Sequence, residues 1–484
     1  MKRRFSFILS ILAVLLATAS CGTAEEQLPE TNIGSEKATE AAETTEKDRL
    51  DDLGEADFDG AEFVIMDAND HPDTYWISYS DERAGDVIND RLAQRDAAIS
   101  ERYNVSVRYE QIVGAKDAAS VLRNEVMAGD STYQLSISTI AGGSLETLAI
   151  DGILANLCEV PYLQLDSSWW ARLMYDNIRF ANRMYYTAGH ISPNLYCMPF
   201  VTYLNKKLLA DYDINTDFYG LVDDGKWTLD VLHDTVKDRD ADLNSDGKMH
   251  MDDDFFGLAT QGNELASTAM FIGAGVSYSS IAKDSLTVDL NTQAVQNTLE
   301  KLQRSVRLLA CNDNNDFFKV AFKEDRVLAM FHMTSAAKLF LRDMESDYLI
   351  LPMPKFDEAQ DGYRSYINIW NNSFIGIPLN ADLEFAGFIT EALDYWSYKN
   401  IYPAAYDLVM KEKGARDEKS QRMLDIVFDS LYVDFNCIYN FGSTSALLCN
   451  CLYNGDNLAS GMEKIGSKTE EAVADFCEAW VKNE

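Results

Sequence analysis

AEFVIMD (61–67), DVINDRLAQRDAAISERY (86–103), VSVRYEQIV (105–113), AKDAASVLRNEVMAG (115–129) and YQLSISTI (133–140) stand in this order along the chain. The first, third and fifth are short apolar or alternating runs, the signature of strands. The second and fourth carry apolar residues at helical spacing with charges between them. Asp59-Gly60 is a turn ahead of the first run, and Gly142-Gly143 ends the last. Strand, helix, strand, helix, strand is the rhythm of an α/β unit with a largely parallel sheet.

The same α/β alternation continues outward. MYYTAGHI (184–191) and CMPFVTYLN (197–205) read as strands, with a helix over 206–212 and another from Trp227 to Val236. Thr292 to Leu309 is helical, Arg326 to Met333 a strand, Thr334 to Met344 a helix, and Tyr348 to Met353 a strand closed by Pro354. SFIGIP (373–378) is a strand before a long helical stretch, Asp382 to Lys413, that Pro403 should break or kink. The rest, to residue 484, is mainly helical, and no internal repeat appears.

Toward the N-terminus the pattern changes. MKRRFSFILSILAVLLATASC (1–21) has three cations and then an apolar run too short to span a bilayer as a settled helix, which fits a secretory signal. Cys21 falls where that run ends, as in a bacterial lipoprotein signal with the cysteine lipidated after cleavage at residues 1–20; Thr18 replaces the usual leucine. Plain signal-peptidase cleavage is the alternative. Residues 21–56 are rich in Glu, Thr, Ala and Asp, with nothing large and apolar to bury between Leu28 and Leu50 except Ile33, so they are expected to be a flexible acidic tether. With 78 acidic against 42 basic residues the net charge is −36, which opposes binding to phosphate backbones and anionic lipid surfaces. The eight cysteines (21, 158, 197, 311, 437, 449, 451 and 477) include no CxxC pair and do not form a disulfide scaffold; the CxC at Cys449 and Cys451 reads as core.

Several stretches carry a resemblance. VTYLNKKLLADYDI (201–214), KWTLDVLHDTVKD (226–238), AFKEDRVLAMFHMTSAAKLF (321–340), YLILPMPKFDEAQDGYRS (348–365), GIPLNADLEFAGFITEAL (376–393) and YDLVMKEKGARDEKSQRMLDIV (406–427) together resemble an extracellular solute-binding protein of the family 1 type, the receptor component of an ABC importer. Leu229-Asp230 and Glu324-Asp325 depart from that pattern, which usually has aromatic-acidic residues at the first position and a glycine and a basic residue at the second. The resemblance implies an α/β periplasmic-binding-protein-like type II fold, two lobes joined by a hinge of several crossings with a ligand cleft between them. A family-like division puts residues 57–163 and 318–373 in the N-terminal lobe and 164–317 and 374–484 in the C-terminal lobe.

With that fold implied, ligand-facing loops are expected at strand C-termini. Tyr75-Trp76 follow the first strand, Ser138, Thr139 and Gly142 end the third, Trp169-Trp170 precede the second lobe, Tyr196 flanks a crossing, and Trp370-Asn371 precede SFIGIP. Aromatic faces stack on sugar C–H groups while amides and hydroxyls take the sugar's hydroxyls, so this set points to a carbohydrate cleft. For each tryptophan, core packing is the competing role, and Trp227, Trp396 and Trp480 sit on helices as core. DLNSDGKMHMDD (242–253) offers Asp242, Asn244 and Asp246 at alternate positions, Gly247 for the sharp turn, the Lys248 carbonyl, the Met249 anchor and Asp253 at the twelfth position, a calcium-loop pattern of dockerin type. The alternative is a solvated acidic turn. No organic cofactor is implied: there is no HExxH, no GxSxG and no phosphate-cradling loop, and Gly273-Ala274-Gly275 reads as a turn. The expectation is therefore a monomeric, lipid-anchored carbohydrate receptor on the outer face of a bacterial cell membrane, partnered by ABC permease subunits and by no nucleic acid. A glycoside-acting enzyme and a solute- or peptide-sensing lipoprotein are the rivals.

Overall fold

Phe63 to Asp67 are buried one after another, so both faces of this strand are covered, as a parallel strand between helix layers requires. The structure, a computed structural model, describes residues 48–68, 78–282, 285–306, 310–311, 317–404 and 418–482. Arg49–Leu53 (α1) precedes Ala61–Asp67 (β1), Val87–Tyr103 (α2), Val105–Gln111 (β2), Ala115–Ala128 (α3), Leu135–Ser138 (β3) and Leu145–Ile150 (α4). Asp86 caps α2 by accepting from the Ile88 and Asn89 amides, and Asn104 closes it in the left-handed region at φ 48°. β1 pairs in parallel with β2 and with β3, as the alternation of strand and helix predicts.

Arg172–Ile178 (α5) leads toward a second sheet. Its elements are Phe200–Asn205 (β4), Lys206–Asp211 (α6), Phe218–Asp223 (α7), Leu229–Val236 (α8), Phe256–Gln261 (β5) and Glu264–Gly273 (α9). A hairpin of Ser280–Ala282 (β6) and Ser285–Thr287 (β7) follows, then Gln293–Val306 (α10), Ala310–Cys311 (β8) and Phe317–Lys323 (α11). Val327–Met333 (β9), Ala336–Leu339 (α12) and Tyr348–Pro352 (β10) complete this part. The chain then runs through Ser365–Tyr366 (β11), Phe374–Gly376 (β12) and Leu383–Asn400 (α13). It ends with Glu418–Asp429 (α14), Leu431–Tyr432 (β13), Phe435–Tyr439 (α15), Thr444–Asn454 (α16) and Leu458–Lys482 (α17).

The pairing corrects the expected lobe boundaries. The first sheet has the order β12-β3-β1-β2 and the second β10-β4-β9-β5-β8. β9 and β10 flank β4, with Phe200 opposite Met333 and Asn205 opposite Tyr348, so residues 318–352 belong to the second lobe and not the first. All six residues of β4 are buried, and it needs a partner on each side to satisfy its backbone. β12 instead pairs with β3, Phe374 opposite Ser138, which returns the chain to the first lobe, where α13 packs on α2. α14 then packs on β10, back in the second lobe. The hinge accordingly contains the segment 187–199, bridged at Thr187 to Ile375 and at Pro199 to Ile367, and its partner 366–375. Three local expectations also change. MYYTAGHI forms isolated bridges and no regular strand, Thr334–Met344 shrinks to the short α12, and β5 and α9 appear where no element was read. The long C-terminal helix breaks at Ile401, two residues before Pro403; residues 405–413 of that stretch lie outside the described residues. No described helix is long and apolar enough to cross a membrane.

Candidate functional site

Both sheets aim their strand C-termini at the hinge. β3 ends at Ser138 beside Phe374, where the crossing segment enters β12. β9 ends at Met333 beside Phe200, and β10 ends at Pro352 beside Val201, where the other crossing enters β4. The region between is therefore lined by loops leaving parallel strands from two directions, the position where α/β sheets bind ligands.

The loop after β3 is built rigidly. Gly142 and Gly143 take φ 84° and 93°, conformations that residues with a side chain rarely adopt. The Glu146 carboxylate accepts from the Gly143 amide at 2.6 Å, the Ser144 amide at 2.9 Å and the Ser144 hydroxyl at 2.8 Å. Ser144 Oγ also lies 2.6 Å from the Thr139 carbonyl, so the same hydroxyl is shared between the carboxylate and the loop backbone. Against this loop lies Trp370: a Cβ built at Gly142 would stand 3.1 Å from Trp370 Cζ3. Trp370 is 56 % exposed, unusual for the largest apolar side chain in a chain whose other described tryptophans are buried or half-buried. Its amide donates to Asn368 Oδ1 at 2.9 Å, and the Asn368 amide donates to the Met198 carbonyl at 3.2 Å, so one crossing segment positions the other. Asn371 beside it is half-buried. In the same segments Ser138 Oγ, Asn372 Oδ1 and Ser335 Oγ are buried with no hydrogen-bond partner among the described residues.

Ser138, Thr139, Gly142, Trp370 and Asn371 are thus brought together, although the Thr139 hydroxyl is spent inside the loop on Ala141 and Ser144. The other aromatics are placed elsewhere. Trp169 and Trp170 are buried, and their indole N–H groups donate to Glu391 Oε1 and Oε2, each at 3.0 Å. Arg49 Nε shares Glu391 Oε1 at 3.0 Å; burial raises the Glu391 pKa while Arg49 and Trp170 act to lower it. Tyr196 is fully buried, its hydroxyl 2.5 Å from His190 Nδ1 and its ring stacked on Tyr402. These three therefore pack the hinge interior and do not face the Trp370 loops. Tyr75, Trp76 and Cys21 lie outside the described residues. Sequence reasoning missed Glu146 and Asn368; the Gly-Gly-Ser-Leu-Glu run at 142–146 was the available signal for the first.

The 242–253 loop closes on its own backbone. Asp242 accepts from the amides of Ser245, Asp246 and Gly247, Asn244 accepts from Asp246, and Asp246 accepts from Lys248. The twelfth-position Asp253 accepts from Asn244 Nδ2 at 2.7 Å. Among the described residues no three acidic, histidine or cysteine side chains converge on a point that could hold a metal. The six described cysteines whose side chains are placed are free.

No family model and no curated relative matches the sequence. Solved structures do. A cyclo/maltodextrin-binding protein complexed with maltotetraose is 12% identical with TM-score 0.58, covering 85% of this chain and 97% of that one. An ABC substrate-binding protein from Listeria monocytogenes in complex with cycloalternan is 14% identical with TM-score 0.52, covering 86% and 100%. The maltose/maltodextrin-binding domain of Bdellovibrio bacteriovorus bound to maltotriose is 14% identical with TM-score 0.51, covering 85% and 100%. These neighbours are binding proteins, and the likeness establishes that this chain has their two-lobed type II α/β fold.

Proposed function

We propose that the protein is the substrate-binding component of an ABC importer, capturing a neutral oligosaccharide between its lobes without breaking covalent bonds. The observation that carries this is Trp370. An indole lying open on an interlobe crossing, packed over a rigid glycine turn, offers a flat apolar face to a sugar ring. The unpartnered buried oxygens of Ser138, Asn372 and Ser335 supply candidate acceptors for the sugar's hydroxyls. Binding that touches loops from both sheets favours the closed form, and closure is what a permease can read. The oligosaccharides named for the structural neighbours support this ligand class. Cys21 as a lipid anchor, an extracytoplasmic location and permease partners belong to the same proposal, supported by the sequence of residues 1–56.

Calorimetric titration with maltotriose, maltotetraose and cyclic glucans tests it. We expect stoichiometric saturation with unchanged ligand, and a drop of about tenfold or more in affinity for Trp370→Ala with the melting temperature retained. Turnover of the sugar would favour a glycoside-acting enzyme, and no binding to any glycan would sink the carbohydrate reading.

The spacing in the 242–253 loop supports a structural calcium ion as a further part of the proposal. Binding would require Asp242 and Asp246 to exchange their backbone N–H donors for the cation. After chelation, calcium titration should give heat that Asp246→Ala removes; no heat from either protein retires the ion.

A further inference from the structure

A cavity of about 280 Å³, lined on one side by His190 and Leu195 of the crossing segment 187–199, shares no lining residue with the Trp370 loops. Its walls include Trp170, Tyr398, Tyr402 and Phe428, with Ser168, Arg172 and Asp429 also lining it. The aromatic walls are braced by one another. Tyr398 stacks on Tyr402 with centroids 5.9 Å apart, Tyr402 meets Phe428 edge-on at 6.0 Å, and His190 packs on both tyrosines. Ser168, Arg172 and Asp429 are exposed, so they form a polar rim over an aromatic floor. Among the described residues the Arg172 guanidinium makes no hydrogen bond or ion pair, and the Asp429 carboxylate accepts none.

We propose that this cavity is a second binding site, for one neutral sugar ring. A compact organic cation suits the aromatic walls and Asp429 but meets the Arg172 charge. A carboxylate or phosphate suits Arg172 but meets Asp429. A ligand with an apolar face and hydroxyls at its edge uses all of them, stacking on the rings while the two charged groups take charge-assisted hydrogen bonds. The volume holds a monosaccharide and not a chain of several residues. The site's position gives it a consequence. Tyr398 lies in α13 and Tyr402 just past its end, on the first lobe, while Phe428 and Asp429 end α14, on the second. A sugar held there touches elements of both lobes and so couples to their closure, and such coupling is reciprocal.

The inference stands on its own lining and does not need the cleft reading. The test is titration of D-glucose, D-galactose and D-mannose, followed by calorimetry and by ligand-observed NMR. It uses three proteins: the full chain, Trp370→Ala, and the double variant Arg172→Ala/Asp429→Asn, whose substitutions sit at exposed positions and should leave the melting temperature unchanged. We expect one of these sugars to bind the first two alike and the double variant about tenfold or more weakly, with oligosaccharide affinity of the empty double variant preserved. Three results overturn the proposal. One is no monosaccharide binding to the full chain. Another is monosaccharide binding that Trp370→Ala abolishes and the double variant keeps. The third is tetramethylammonium binding the cavity more tightly than any of the sugars.

Discussion

Gly142 has no side chain because Trp370 fills the place where one would stand. Gly142→Ala would meet both the indole and a φ of 84°, so we expect a loss of about 1–2 kcal/mol in stability and weakened glycan binding, read by thermal melts and calorimetry. Two buried ionisable groups near the hinge act in opposite directions with pH. Burial pushes His190 down from 6.5 to about 3, so the unfolded chain takes up a proton that the folded chain refuses. Stability therefore falls as pH drops below 6.5, by about 3 kcal/mol at pH 4 from this residue, and His190→Gln should blunt the acid limb of a pH–melting curve. Asp394 is pushed well above 3.8 by burial, against the Ile191 amide that holds its Oδ1 at 2.8 Å. Here the folded chain keeps a proton that the unfolded chain releases, so the cost grows as pH rises above 3.8. Asp394→Asn should raise the melting temperature more at pH 8 than at pH 5; an equal shift at both would refute the assignment. At this scale the sequence showed which residues were large, polar or flexible but not which were covered. Trp170 and Trp370 look alike in a list of tryptophans, and only the distant Glu391, 221 positions from Trp170, decides that the first is buried.

Among the elements, the turn from β3 into α4 is held by one carboxylate. Glu146→Ala would leave the Gly143 and Ser144 amides without their partner, and we expect about 1–3 kcal/mol lost in stability together with a slower, weaker approach of glycan to Trp370. Glu146→Gln, which keeps an acceptor, should recover part of it. Strands and helices of the first sheet were legible to within a few residues because each carries its own period: β1 begins at Ala61 and α2 at Val87, within a residue of where AEFVIMD (61–67) and DVINDRLAQRDAAISERY (86–103) start. The lobe boundaries were not, because sheet membership is a long-range property. Nothing within AFKEDRVLAMFHM states that β9 will lie beside β4 and not beside β3. Thr334–Met344 has a helical composition, yet α12 stops at Leu339, and the next residues serve the turn into β10.

For the whole molecule, the last helix limits how the lobes can move. α17 starts against α16 on the second-lobe side, while Trp480 near its end is buried against Tyr185, with centroids 4.7 Å apart, and the Tyr185 hydroxyl donates to the Trp480 carbonyl. Tyr439 likewise donates to the Glu146 carbonyl across the same seam. If the lobes close on a ligand, this aromatic seam is where they pivot. Small-angle scattering should show compaction on adding maltotetraose, and Trp480→Ala should cost about 3–5 kcal/mol and make the unliganded form more open. α1 is clamped to the first lobe: Arg49 reaches both Glu391 on α13 and the Tyr162 carbonyl. Immobilised through a surface site on the first lobe, such as the exposed face of α3, the molecule would keep that jaw stationary and swing the other, so a fluorophore placed on α8 or α10 would travel on ligand addition.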